Sequence, residues 1–166
     1  FAVNCKIEIH GNASRDNAEI YWPPNLFDGV IARAPAYNWV GFMGAFNRNS
    51  RALAAPRGAF SAAKTALLST QVRNACDALD GITDGVVSNQ AACTPAVVNV
   101  AALRCAGGAD TGNSCLSDAQ LDVVASWTTE ATFTGSPTFR NAGWNLTGNE
   151  GDPGAWVYPV ILEGDP

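Results

Sequence analysis

Histidine is almost absent from this sequence: His10 is the one copy among 166 residues. With so little imidazole, a histidine-based transition-metal centre is excluded. Charge is also scarce, at 15% of residues against 47% hydrophobic. That balance excludes a disordered tail, because there is enough apolar material for a core. Positive charge is shortest of all, with ten scattered Lys and Arg against fifteen Asp and Glu, a formal net charge of −5. A protein that tracks phosphates needs a basic patch, so no nucleic acid is expected as a partner. No run approaches the roughly 18–20 consecutive apolar residues that span a bilayer, so no membrane partner is expected either. No basic segment with an apolar run stands at Phe1, so no signal peptide is visible, which reads as a mature, processed or truncated chain.

The Cys-x-x-Cys pair is missing too, which argues against zinc. Five cysteines stand at positions 5, 76, 93, 105 and 115. Four of them fall in one short stretch rich in Gly, Asn and Thr. Two local disulfides in an oxidising compartment are the favoured reading, and buried free thiols are the alternative. Cys5 is left over, and an odd cysteine suggests a missing partner. Asn12-Ala-Ser and Asn145-Leu-Thr both fit the acceptor pattern for N-glycosylation. Together these features predict a secreted, extracellular or periplasmic protein.

What is present is helical pattern broken by loops. Residues 1–9 alternate roughly and read as a strand, residues 16–21 as a short helix stopped by Pro23-Pro24, and residues 26–34 as a buried strand ended by Pro35. A helix is predicted over residues 39–53, although Gly41 and Gly44 weaken it. Residues 54–58 form a turn, and residues 60–79 carry the strongest helical periodicity. Loop follows to residue 94, then a short helix within 95–103 and a Gly-rich loop over 106–114. Ser117 and Asp118 look like the cap of a helix reaching about residue 130, with Leu121, Val124 and Trp127 as its apolar stripe. Residues 131–166 are rich in Gly, Pro, Asn and aromatic side chains and show little periodicity.

The sharpest local feature is Cys76-Asp77-Ala78-Leu79-Asp80-Gly81-Ile82-Thr83-Asp84-Gly85-Val86. Three carboxylates so close in sequence repel one another unless a cation lies between them. Calcium takes six to eight oxygen ligands, and glycines let the chain curl so that carbonyls turn inward. Magnesium prefers fewer protein ligands and more water. The spacing is not that of an EF-hand, and a solvated acidic turn at a helix end is the competing reading.

The same segment resembles the calcium loop in the lid of the tannase and feruloyl esterase family. The likeness continues in Phe27-Asp28-Gly29-Val30-Ile31-Ala32-Arg33-Ala34-Pro35-Ala36-Tyr37-Asn38-Trp39, which is similar to the core strand after the family's nucleophile helix. Cys93, Cys105 and Cys115-Leu116-Ser117-Asp118-Ala119-Gln120 follow the lid pattern, and Gly148-Asn149-Glu150 resembles a Gly-Ser-Glu-type segment later in the lid. The resemblance covers the chain from about residue 24 onward. It implies calcium held by the carboxylates of Asp77, Asp80 and Asp84 and the carbonyls of Ile82 and Val86. It also implies disulfides joining Cys76 to Cys93 and Cys105 to Cys115.

The implied fold is an α/β-hydrolase fragment, with one core strand plus a mainly helical, loop-rich lid domain. Residues 1–37 would be a remnant of the hydrolase core, and residues 38–166 the lid, incomplete at its C-terminal end. The family's triad serine sits in a Gly-Cys-Ser-x-Gly-Gly elbow, where strained backbone needs small residues. Here the corresponding stretch reads Ile9-His10-Gly11-Asn12-Ala13-Ser14-Arg15-Asp16, without the Cys-Ser pair. Ser14 is three or four residues out of register and lies within the sequon, so it reads as a surface or glycan-acceptor serine. His10 precedes the strand and cannot fill the family's histidine role. No catalytic residue is therefore assigned.

The resemblance implies a portion of a secreted carboxylic ester hydrolase, acting on phenolic-acid esters through an acyl-serine and inactive as this chain alone. The alternative is a non-catalytic, glycosylated calcium-binding module descended from that family. A lone strand has exposed edges. Further polypeptide is therefore expected as a partner, either the rest of the hydrolase or neighbouring subunits.

Overall fold

A computed structural model describes residues 8–9, 31–32, 38–135 and 138–152. Helices dominate. Glu8–Ile9 (β1) pairs in parallel with Ile31–Ala32 (β2), in register Glu8 to Ile31 and Ile9 to Ala32. The single core strand expected from sequence thus gains a neighbour. The connection, residues 10–30, exceeds the dozen or so residues that a parallel crossover needs. The short helix expected over residues 16–21 and the rest of both expected strands lie outside the described residues, as do Cys5, His10, Asn12 and Ser14.

The first long helix, α1, spans Trp39–Leu53. Asn38 caps it, its side-chain oxygen accepting the Gly41 N–H at 3.1 Å. The two glycines that weakened the sequence reading have a packing reason. A Cβ on Gly44 would lie 2.8 Å from the Phe133 ring, and one on Gly41 would lie 2.6 Å from the Arg140 carbonyl oxygen. Both face a small antiparallel hairpin, Ala131–Phe133 (β3) with Phe139–Asn141 (β4). Bare backbone at these two positions lets the hairpin lie on the helix. Sequence reading missed this hairpin, because each strand is three residues long and shows no usable alternation.

The second long helix, α2, spans Ala62–Cys76, shorter than the expected 60–79. Ser61 caps its start, and the chain beyond Cys76 tightens into the 3-10 turn Asp77–Asp80. A short helix, α3 (Pro95–Val98), begins with Pro in its first turn under a Thr94 cap. The last helix, α4 (Asp118–Thr128), opens on a full capping box. The Gln120 N–H donates to Ser117 Oγ at 3.2 Å, and the Ser117 N–H donates to Gln120 Oε1 at 2.9 Å. The α4 helix packs against α1, where Ser126 donates to Asn49 Oδ1 at 2.8 Å in a buried contact.

One core joins these parts. Leu68 and Val72 from α2, Val98 from α3, and Val123 and Trp127 from α4 meet there with Leu146. Trp127 is 1% exposed, so it is a core residue rather than a surface contact. Each such side chain contributes about 1.5–3 kcal/mol on burial. Cys76 is joined to Cys93, and Cys105 to Cys115, the two pairings the resemblance implied. Cys76, Cys93 and Cys105 are buried.

Candidate functional site

Helix α2 delivers its C-terminus into the acidic loop. Cys76, its last residue, is fully buried and disulfide-bonded, so the loop leaves from a fixed point. Gly81 ends the 3-10 turn at φ 92, and Gly85 repeats the left-handed conformation at φ 83. Open space surrounds both positions, so backbone conformation alone selects glycine there. Val87, 3% exposed, returns the chain to the core.

Between those anchors the three aspartates organise backbone. Asp77 Oδ1 accepts N–H bonds from Asp84 at 3.2 Å and Gly85 at 3.0 Å, closing the loop on itself. Asp80 Oδ1 accepts from the Ile82 N–H at 2.9 Å, and Asp84 Oδ1 from the Val86 N–H at 3.0 Å. These are turns of the kind Asp forms with its own downstream backbone. Ile82 and Val86 expose 61% and 56% of their surface, so these apolar side chains are not what holds them in place. The Val86 carbonyl also accepts the Ser88 N–H at 3.1 Å.

Among the described residues, no three His, Cys, Asp or Glu side chains are gathered as a metal-holding group. The donor chemistry nevertheless suits a hard cation. It is all oxygen, solvent-accessible and anionic, which matches calcium and disfavours soft metals. Each aspartate commits Oδ1 to backbone N–H groups, and a carboxylate has capacity beyond that.

A bracket behind the loop was not visible in the sequence. Ser69 Oγ, on α2, donates to the Gly148 carbonyl at 3.0 Å, and Arg73 Nη1 donates to the same oxygen. The Thr147 and Gly148 N–H groups donate to Glu150 Oε1 at 2.6 and 3.2 Å. Glu150 is 1% exposed. Resemblance had marked Gly148-Asn149-Glu150 but gave it no role. The only local signal was a polar pair four residues apart on one helix face, Ser69 and Arg73.

A second polar cluster ties the other disulfide loop to α2. Lys64, 3% exposed, donates to Gln120 Oε1 at 2.8 Å and pairs with Asp110 Oδ2 at 2.8 Å. The Lys64 ammonium, then the Gly112 N–H, holds the Asp110 carboxyl below the usual carboxylate range. Arg104 forks onto Asp118 at 2.6 and 2.9 Å, which lowers that carboxyl too.

Aromatic side chains gather at the start of α1. Phe42 and Phe46 lie 4.6 Å apart between ring centroids, and Trp144 meets both edge-on at 6.1 and 5.7 Å. Trp39, Val40 and Met43 beside them are about half exposed. Phe133 and Phe139 are half-buried in the hairpin. Asn145 is exposed and Leu146, the middle residue of the second sequon, is fully buried.

Comparison with known proteins gives four consistent likenesses. The family model described as "Tannase and feruloyl esterase" matches residues 18–152. A mono(2-hydroxyethyl) terephthalate hydrolase of Piscinibacter sakaiensis is 33% identical over 143 residues, covering 74% of this chain and 23% of that protein. A probable feruloyl esterase B of Emericella nidulans is 34% identical over 104 residues, 61% of this chain and 19% of the relative. The crystal structure of an esterase from Aspergillus oryzae superposes with a TM-score of 0.60 at 24% identity, covering 86% of this chain and 27% of that one. The chain therefore spans only about a fifth to a quarter of the length of these relatives.

Proposed function

The chain belongs to the tannase and feruloyl esterase family, and from that premise we propose that it is a portion of a secreted or periplasmic ester hydrolase of phenolic-acid esters. The observation that carries this reading is the match over residues 18–152, which includes the acidic loop and all four disulfide-bonded cysteines. The chemistry of the whole protein is acyl transfer through an acyl-serine, with donors that stabilise the oxyanion. This portion's part is to supply a lid over that chemistry, residues 38–166, beside a core remnant at residues 1–37.

Calcium belongs to this reading. Asp77, Asp80 and Asp84 would hold it through carboxylates, and Ile82 and Val86 through backbone carbonyls. Bound there, a cation would neutralise mutual repulsion among three carboxylates and cross-link a loop that has little core of its own. The chain's own residues then set the rest. Cys76 and Val87 fix where the loop leaves and re-enters the core, while Gly81 and Gly85 give it the turns it needs. Asn145 carries a glycan on its exposed side, and Asn12 is the second acceptor. The two disulfides support the oxidising compartment. Among the described residues, no helix is long and apolar enough to cross a membrane.

A second reading has its own support: the stretch around Ser14 lacks the Cys-Ser pair of the family's elbow. On that reading the domain is a non-catalytic, glycosylated calcium-binding module. The intact, non-reduced mass of the natively isolated protein, together with its hydrolysis of methyl ferulate and methyl gallate, separates the two. Further polypeptide and release of free phenolic acid support the hydrolase. A mass matching these 166 residues plus sugar, with no hydrolysis, overturns it in favour of the module.

A further inference from the structure

We infer that the turn at residues 147–150, organised by Glu150, is a positioning element for the ligand loop at residues 77–86. The inference rests on the calcium reading above for the identity of the ligand, but its structural grounds are independent.

The turn touches the chain on both sides of the loop. A Cβ built on Gly148 would lie 2.8 Å from Arg73 Cγ and 3.3 Å from Val87 Cγ2. Arg73 stands in the last turn of α2, four residues before Asp77, and Val87 directly follows Val86. The Gly148 backbone therefore packs against both the entry to the loop and its exit. Two side-chain donors from α2, Ser69 and Arg73, converge on the Gly148 carbonyl and lock that contact. Gly148 itself has φ +80, a left-handed turn that glycine adopts without strain.

Glu150 does the holding. Its Oε1 gathers the N–H groups of Thr147 and Gly148, and Thr147 Oγ1 lies 3.4 Å from the same oxygen. Its Oε2 is buried without a hydrogen-bond partner, the only such side-chain oxygen or nitrogen among the described residues. An acid at 1% exposure with one unpartnered oxygen is an unfavourable choice for packing alone. The Oε1 bonds are the compensating gain. Loss of the carboxyl frees the turn, and the α2 terminus and Val87 lose their common backstop. Asp77 and the Val86 carbonyl, at the two ends of the ligand set, then lose their fixed separation. Glu150 touches no ligand itself and acts through Gly148, so it is a positioning residue.

The test titrates calcium into the calcium-stripped full chain by calorimetry, at a temperature where circular dichroism shows every variant folded. Glu150→Ala is expected to weaken calcium binding by about tenfold, as removal of support behind metal ligands does. Glu150→Gln, which keeps the Oε1 acceptor, restores affinity to within about twofold. Val124→Ala, a buried truncation in α4, lowers the melting temperature and leaves the affinity unchanged, which separates positioning from general destabilisation. Equal affinity in Glu150→Ala and the parent chain overturns the inference. If the parent chain takes up no calcium, the calcium reading fails by itself. Hydrogen exchange at the Asp84 and Gly85 amides then decides: faster exchange in Glu150→Ala supports the support role, and unchanged exchange overturns it.

Discussion

Two disulfide-closed rings hang from the same helix, and they are held in opposite ways. The ring closed by Cys105–Cys115 is anchored from outside. Lys64 of α2 reaches in to pair with Asp110, and Ser61 Oγ donates to Asn113 Oδ1 at 3.0 Å. Just beyond it, Arg104 and Asp118 clasp its two flanks. The ring closed by Cys76–Cys93 contains the acidic loop, whose bonds come from within the ring. Asp77, Asp80 and Asp84 accept backbone N–H groups a few residues away, and Asn89 donates to the Leu79 carbonyl. Among the described residues, no lysine or arginine forms an ion pair with those three aspartates. One ring thus has its countercharge supplied by the protein, the Lys64 ammonium of α2. The other displays three carboxylates that no lysine or arginine of the described residues pairs with. On the calcium reading proposed above, that difference would locate the part of the fold whose order depends on a ligand.

Removing each disulfide should break the comparison most visibly. The Cys76–Cys93 ring spans 17 residues and both its sulfurs lie in the core, whereas the Cys105–Cys115 ring spans 10 and Cys115 is only half-buried. Cys76→Ser with Cys93→Ser adds two buried hydroxyls to the lost loop closure, so it is expected to cost about 4 kcal/mol. Cys105→Ser with Cys115→Ser is expected to cost about 2 kcal/mol, because outside anchors persist. Urea denaturation of both double variants measures the order, and a reversed order would mean that the outside anchors contribute little.

Calcium withdrawal should sharpen the contrast. With free calcium a hundredfold above its dissociation constant, chelation removes about 2.7 kcal/mol of stability. Hydrogen exchange should speed up at residues 77–87 and stay constant at residues 105–116. A melting temperature unmoved by a chelator counts against the metal site altogether.

What the sequence made legible follows the same division. Helix α1 was bounded correctly at Trp39–Leu53, and the Ser117 cap announced α4, because periodicity and capping are local properties. The end of α2 was overestimated, since Asp77–Asp80 continues the helical path in a tighter turn that apolar spacing does not distinguish. The hairpin escaped notice because its strands are short and it lies on Gly41 and Gly44, ninety residues or so earlier in the chain. The acidic loop stood out in the sequence through three aspartates and two glycines. The bracket at Gly148 and Glu150 was not, because it joins α2 to a turn more than seventy residues away. Lys64 escaped for the same reason: nothing in its neighbours shows that it is buried against Gln120 and Asp110.

The smallest predicted effect is one of pH, and it belongs to the anchored ring. Asp110 titrates below the ordinary carboxylate range, first because Lys64 donates to it, then through the Gly112 N–H, with Lys64 and Arg57 adding charge attraction. Asp118 is lowered in the same direction by Arg104. In the unfolded chain both carboxyls take up protons near pH 4, while in the folded chain they remain ionised to lower pH. Between those limits the unfolded state binds more protons. The stability these pairs supply is therefore complete above the ordinary range and drains away as pH falls through the lowered folded values. Urea midpoints measured from pH 6 down to pH 3 should fall, and Asp110→Asn should flatten that fall. The experiment is run in chelator, so that the acidic loop stays calcium-free throughout. An Asp110→Asn profile parallel to that of the parent would show that the outside anchor, for all its geometry, does not distinguish the two rings in solution.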